Sequence, residues 1–119
     1  MTGEGGIRRE QPVLRVDADG DALVVRLGGD LDLYNVEQVR AALAGAVDRA
    51  PARLVVDLEQ VEFVDSTALG ALVEARRGLG DGAFRLAAPQ PEVRRALEVS
   101  GLDRHLDVRA TVDEALTAE

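Results

Sequence analysis

Short, nearly unbroken apolar runs alternate along the chain with stretches in which apolar residues recur every three or four positions. Val13-Leu14-Arg15-Val16 and Ala22-Leu23-Val24-Val25-Arg26-Leu27 are two β-type runs. Between them lies Asp17-Ala18-Asp19-Gly20-Asp21, whose Asp-Gly pair suits a hairpin loop, so two antiparallel strands are expected. After Gly28-Gly29 and Asp30-Leu31-Asp32-Leu33-Tyr34, the spacing of Val36, Val39, Leu43 and Val47 predicts an amphipathic helix over roughly 34–50. Asn35 with Gln38 reads as a weak capping box, and Pro51 ends the helix by pushing Ala50 out of the right-handed region. Arg53-Leu54-Val55-Val56-Asp57-Leu58 is nearly continuous in its apolar character, the mark of a strand buried on both faces at the centre of a sheet.

A loop is expected next, ending in Asp65-Ser66-Thr67. Ala68, Leu69, Leu72, Val73, Arg76 and Leu79 then predict a second helix that runs until Gly78, Gly80 and Gly82. Ala83-Phe84-Arg85-Leu86-Ala87 reads as a strand. Pro91 opens a helix carrying Val93, Leu97 and Val99, stopped by Ser100-Gly101. A short strand around Leu106–Val108 follows, and the capping box Thr111-Val112-Asp113-Glu114 starts a last helix with Ala115 and Leu116. The order β-β-α-β-α-β-α-β-α predicts a small α/β domain. Its mixed sheet has an opening antiparallel hairpin, its remaining strands are mostly parallel, and about four helices cover it. Residues 1–12, rich in glycine and without periodicity, read as a flexible N-terminal tail, leaving 13–119 as the single domain.

Composition narrows the chemistry. The 119 residues carry 14 basic and 22 acidic side chains, a formal charge of −8, and every basic residue is arginine. That balance disfavours nucleic acid and an anionic membrane surface as partners. There is no cysteine, which removes disulfides, thiolate metal sites and thiol nucleophiles. No apolar run reaches the ~18–20 residues of a spanning helix and no signal peptide is visible, so a cytoplasmic location is expected.

The stretch richest in candidate chemistry is the one leading into Asp65-Ser66-Thr67. A side-chain oxygen just before a helix satisfies orphan backbone N–H groups, and those groups with the helix dipole favour an anion placed there. Taken alone, Asp-Ser-Thr reads first as an ordinary helix cap. Its company changes the weighting: Gly29-Asp30-Leu31-Asp32 before the first helix, the apolar strand ending in Asp57-Leu58, the downstream Arg94-Arg95-Ala96-Leu97-Glu98 to Ser100-Gly101-Leu102, and Thr111-Val112-Asp113-Glu114-Ala115-Leu116. Together these resemble the STAS domain family over Val13 to Leu116, and within it the free-standing bacterial anti-sigma-factor antagonists. The resemblance implies that Ser66 is a phosphorylation site in a matching Asp-Ser pair. Asp32 matches the aspartate of the family's Gly-x-Leu-Asp segment, and Thr67 is a departure that leaves a competing hydroxyl.

The implied cycle is partner switching. The unmodified chain binds an anti-sigma factor with serine kinase activity and frees the sigma factor, phosphorylation at Ser66 ends binding, and a phosphoserine phosphatase resets the chain. The expected partner surface is Asp30, Asp32, Tyr34, Asn35, Glu62, Asp65, Ser66, Thr67, Leu69 and Gly70, in a protein that is a regulator and not an enzyme. Asp30, Asp32, Glu59, Glu62 and Asp65 are expected to gather negative charge there. Tyr34, Phe63 and Phe84 are assigned to packing, with Tyr34 exposed near the site.

Other readings fit less well. A phosphoaspartate receiver, with Asp57 as acceptor, needs a lysine that the chain lacks. A serine hydrolase needs a base beside Ser66, but the single histidine, His105, belongs to a surface loop, and the glycines of a nucleophile elbow are missing. Asp17, Asp19 and Asp21 lack the terminal glutamate of a calcium loop, and neither a metal nor a cofactor is called for. The alternative within the same family is a STAS scaffold or adaptor subunit of a stress-signalling or lipid-transport complex, binding its partner constitutively.

Overall fold

The computed structural model describes residues 11–80 and 82–118. Most of the tail expected over 1–12 therefore lies outside the described residues. Pro12 does not belong to a tail, because it is buried and its carbonyl accepts the Gly28 N–H at 2.9 Å.

The elements are β1 (Val13–Asp19), β2 (Ala22–Leu31), α1 (Val36–Asp48), β3 (Arg53–Val64), α2 (Ser66–Leu79), β4 (Ala83–Ala87), α3 (Pro91–Ser100), β5 (Asp107–Arg109) and α4 (Val112–Thr117). A 3-10 turn at Leu102–Arg104 joins α3 to β5. The five strands lie in the order β1-β2-β3-β4-β5, with β1 antiparallel to β2 and every later pair parallel, so the expected mixed sheet forms with β3 at its centre.

Alternation along the strands divides the core. Leu23, Val25 and Leu27 of β2, Leu54, Val56 and Leu58 of β3, and Phe84 and Leu86 of β4 pack with buried residues of α1, α2 and α3 in the main core. The opposite face carries Val24, Val55 and Ala87 beneath Ala115, Val112 and Leu116 of α4. Burial on both faces is why the β3 run is nearly free of polar residues. Its one exception, Asp57, is buried but satisfied: its carboxylate accepts from Arg26 Nη1 at 2.7 Å and from the Glu59 N–H at 3.0 Å.

Several local expectations shift. The hairpin loop is only Gly20-Asp21, since Asp19 already pairs with Ala22, and Gly20 at φ +60° suits a type II′ turn. The first helix begins at Val36, and Asn35 makes no side-chain cap, so the Asn35/Gln38 capping box does not form. Helix α1 closes with Ala50 in the left-handed region at φ +50°, the route by which the chain leaves the helix before Pro51. Val99 faces solvent instead of the core, because only Val93 and Leu97 of α3 turn inward. Thr111 caps α4 through the Glu114 N–H at 3.0 Å, while Glu114 reaches back to the Ala110 N–H and not to that of Thr111.

The largest correction concerns 59–64, expected as a loop. Strand β3 continues through these residues to Val64, and β2 continues through Gly28-Gly29 to Leu31. Ten residues of β2 lie beside twelve of β3, the excess taken up at two shifts of register, between Arg26/Gly28 and between Gly29/Asp30. Each shift is a bulge on β3 that re-aims the side chains after it.

At the other edge of the sheet, Asp107 accepts from Arg109 Nε at 2.6 Å and from Arg85 Nε at 3.1 Å. The Arg109 hydrogen bond, against a smaller opposing effect of burial and helped by Arg85, holds the Asp107 carboxyl below the ordinary 3.8. A lowered folded-state value means the contribution to stability is complete above the ordinary value and is lost as pH falls through the lowered one. Asp107→Asn is therefore expected to lower the melting temperature at pH 7. Its difference from the parent should shrink below pH 3.8, and thermal melts across pH 2–7 would reveal a constant difference if the carboxylate is not the cause.

Candidate functional site

The C-terminal ends of β2 and β3, the loop after β2 and the first turn of α2 meet at one end of the sheet. The parallel register sets Asp30 beside Phe63 and Leu31 beside Val64, so the loop before α1 and the start of α2 leave the sheet side by side. Asp65 joins them. Its Oδ1 accepts the Ala68 N–H at 2.9 Å, capping α2, and its Oδ2 accepts the Leu33 N–H of the neighbouring loop at 3.1 Å. The Asp65 N–H in turn donates to the Leu31 carbonyl at 3.1 Å.

Asn35 braces the same loop from within. Its Oδ1 accepts the Asp32 N–H at 3.0 Å and its Nδ2 donates to the Asp30 carbonyl at 2.7 Å. Asp32 Oδ1 accepts the Tyr34 N–H at 3.0 Å, closing a tight Asx-type turn. Held in this way, the loop presents its side chains outward. Leu33 is 60% and Tyr34 76% exposed, an apolar shelf on the loop that Asp65 ties to the start of α2, where Ser66 is exposed at the first helical position; Phe63, near the end of β3, is 51% exposed. Scattered exposed apolar residues are ordinary, but three of the six large exposed ones among the described residues lie in the loop before α1 and near the end of β3, the two segments that adjoin Asp65-Ser66.

The expected partner surface therefore divides. Asp30, Tyr34, Glu62 and Ser66 are exposed, and Asp32, Asp65, Thr67 and Gly70 are partly so. Asn35 and Leu69 are buried, which corrects their assignment as contact residues: Asn35 shapes the loop and Leu69 packs into the main core. Glu59 also stands apart. It precedes Ser66 by seven residues of extended chain, roughly 15–20 Å of strand, and its carbonyl accepts from the Gln90 side chain. Phe63, expected to pack, is exposed because the second bulge turns it out. Leu33 was not singled out from the sequence. The available signal was an apolar residue between two polar turn residues, Asp32 and Asn35.

The single histidine does not stand beside Ser66. His105 lies with Arg76, Arg77 and Asp107 near the C-terminal end of α2, whereas Ser66 begins that helix of 14 residues, about 20 Å long. Asp57 is engaged by Arg26 and by the Glu59 N–H, so it offers no free carboxylate to a phosphoryl group. Among the described residues no group of three metal-type side chains converges, and no helix is long and apolar enough to cross a membrane.

A five-stranded sheet opening with an antiparallel hairpin, with an Asp-Ser pair at a helix start beside the loop after β2, is the arrangement of one domain class. The STAS domain model matches residues 14–115, and the chain belongs to that family. It is 39% identical over 106 residues to Rv2638 of Mycobacterium tuberculosis, provisionally named an anti-anti-sigma factor, covering 84% of this chain and 70% of that one. The crystal structure of an anti-sigma factor antagonist from Mycobacterium paratuberculosis superposes with a TM-score of 0.83 at 32% identity, covering 87% and 90% of the two chains. The anti-sigma factor antagonist SpoIIAA, a Bacillus cell fate determinant, is similar in two solved forms. The unphosphorylated form has a TM-score of 0.73 at 31% identity over 86% and 91% of the chains, and the phosphorylated form 0.65 at 29% over 86% and 95%.

The brace predicts a measurable cost. Asn35→Ala leaves the Asp32 N–H and the Asp30 carbonyl without their partner and should destabilise the fold by about 1–3 kcal/mol. Asn35→Asp, which keeps an acceptor for Asp32 but sets a carboxylate against the Asp30 carbonyl, should fare no better. Urea unfolding would measure both, and a loss under about 0.5 kcal/mol, typical of a plain surface change, would count against the brace.

Proposed function

We propose that this chain is an anti-sigma-factor antagonist whose binding is ended by phosphorylation of Ser66. Its partner is an anti-sigma factor with serine kinase activity, and a phosphoserine phosphatase restores the binding form. One observation carries the reading: an exposed hydroxyl stands at the first position of a helix whose cap, Asp65, also holds the loop that carries the exposed Leu33 and Tyr34. The names of the similar proteins, and a relative that exists in unphosphorylated and phosphorylated forms, support it.

The physics of the switch follows from the local charge. A phosphoryl group adds ~1.5–2 negative charges at a position whose neighbours include Asp65 and, on the adjoining strand ends, Asp30 and Glu62. A helix N-terminus typically returns about 0.3–1 kcal/mol to such an anion. Here the return is reduced, because Asp65 already takes the Ala68 N–H and contributes its own negative charge. A hundredfold loss of partner affinity requires only ~2.8 kcal/mol. Desolvating a phosphate against the apolar shelf supplies that readily, without any change in the sheet.

Ser66→Ala is expected to bind the kinase and to remain active when ATP is present, while Ser66→Glu should bind at least tenfold more weakly. Titration calorimetry with the kinase and each variant reads this directly, and equal affinities would defeat the charge switch in favour of constitutive scaffold binding. Incubating the parent chain with kinase and ATP should add one phosphate, located on Ser66 and not on Thr67 by peptide mass spectrometry. A phosphate on Thr67 would move the site.

A further inference from the structure

The outer edge of β1 is the side of that strand away from β2. Strand β1 is the first in the sheet, and among the described residues no strand lies on its other side. Edge strands are commonly guarded by inward-pointing charge, proline or brevity. This one carries a bulge at Leu14 and three charged residues, Arg15, Asp17 and Asp19, yet it offers Leu14 at 51% and Val16 at 41% exposure, and its five residues 15–19 run in regular register with β2.

The register fixes which backbone groups point outward. Asp19 and Ala22 close a two-residue loop and so exchange both hydrogen bonds. Alternation then turns Asp17 and Arg15 toward β2, and leaves the N–H and C=O of Ala18 and Val16 on the open edge. An antiparallel second copy centred on Val16 sets Val16 against its counterpart as a hydrogen-bonded pair. In that register Arg15 of each copy stands opposite Asp17 of the other, at the closely spaced positions where cross-strand side chains meet best. Sliding the centre to residue 15 opposes arginine to arginine, and sliding it to residue 17, although it sets Arg15 against Asp19, opposes aspartate to aspartate, so only the centre at Val16 has no like charges opposed. Charge therefore selects one register of the three.

The same two side chains already end a line of alternating charge. Asp57 on β3 binds Arg26 on β2 at 2.7 Å, Arg26 binds Asp17 at 2.9 Å, and Asp17 binds Arg15 at 2.9 Å. Arg26 and Arg15 together hold the Asp17 carboxyl below its usual range. A second copy would continue that line across the edge. The bulge at Leu14 breaks the register between Val13 and Arg15 and keeps the ladder short.

We propose that the β1 edge is a self-association surface at which two copies join antiparallel about Val16 into one continuous ten-stranded sheet. The two-fold axis sends the Ser66 ends in opposite directions, so both remain open to partners. The inference is independent of the phosphorylation reading, since it needs neither kinase nor nucleotide.

Sedimentation equilibrium or light scattering of the full chain from about 10 μM to 1 mM, a range that registers weak association, should show monomer passing to dimer. Val16→Pro removes an outward N–H that β2 does not use and is tolerable on an edge strand. It should stay monomeric throughout while keeping the parent's circular dichroism. Arg15→Asp, a change at an exposed position, creates two like-charge oppositions and should weaken dimerisation at least tenfold. If Val16→Pro does not fold, Arg15→Asp decides the matter. A parent chain monomeric at about 1 mM, or a folded variant of either kind that dimerises as tightly as the parent, overturns the proposal.

Discussion

One carboxylate holds the candidate surface together. Asp65 receives the Ala68 N–H of its own helix and the Leu33 N–H of the loop thirty-two residues earlier, so the start of α2 and the loop before α1 share an anion. A helix cap of this kind is worth about 1 kcal/mol, a modest sum for the fold. Its leverage is geometric. The parallel pairing of β2 and β3 ends at Leu31 and Val64, so beyond the sheet it is the second hydrogen bond that ties Leu33 and its neighbour Tyr34 to the start of α2. The residues usable by a partner are therefore positioned by one that is itself only partly exposed.

Much of this was legible in the chain and some was not, for identifiable reasons. The opening hairpin, the central apolar strand, the helix faces and the cap at Asp65 all follow from patterns whose period matches their element. Strand β3 beyond Leu58 does not. Leu58, Val61 and Val64 turn inward with two exposed residues between each, a spacing of three that looks unlike a strand. The two bulges produce that spacing, because each adds a residue and breaks the alternation of faces. A periodicity argument has no means of seeing an inserted residue, and the exposure of Phe63 was lost with it. Asn35 misled for a different reason. Asparagine at a helix start commonly caps, yet here its amide spans the Asp32 N–H and the Asp30 carbonyl, a choice made by the path of the loop and not by its neighbours in sequence.

The sheet divides its two faces between different kinds of cohesion. Toward α1, α2 and α3 the strands contribute branched aliphatic residues, and this face carries the main apolar burial. The other face mixes a small apolar cluster under α4 with charged residues that neutralise one another across strands. Arg85, nearly inaccessible, donates to Asp107 and to the Ala115 carbonyl, and Arg53 donates to the Leu116 carbonyl. Arginine suits this role because several of its donors can be satisfied at once by carboxylate and main chain. The short helix α4, which buries little apolar area, is anchored by these two guanidinium groups.

A scaffold built in this way favours a switch made by local charge over one made by refolding. The ends of β2 and β3 near Ser66 contribute Leu31 and Val64 to the main core. The adjoining loop is tied down where the Asp32, Leu33 and Tyr34 N–H groups donate to the side chains of Asn35, Asp65 and Asp32 and where Asn35 donates to the Asp30 carbonyl. Rearranging that loop would break several bonds together, each worth about 0.5–1.5 kcal/mol net. The four bonds together are worth about 2–6 kcal/mol, as much as or more than the ~2.8 kcal/mol sufficient to change affinity a hundredfold. Adding charge to a hydroxyl already on the surface avoids the rearrangement. In the proposed switch the energy is drawn from the interface, where an apolar shelf has to meet a dianion, and the fold that presents the shelf is left as it was.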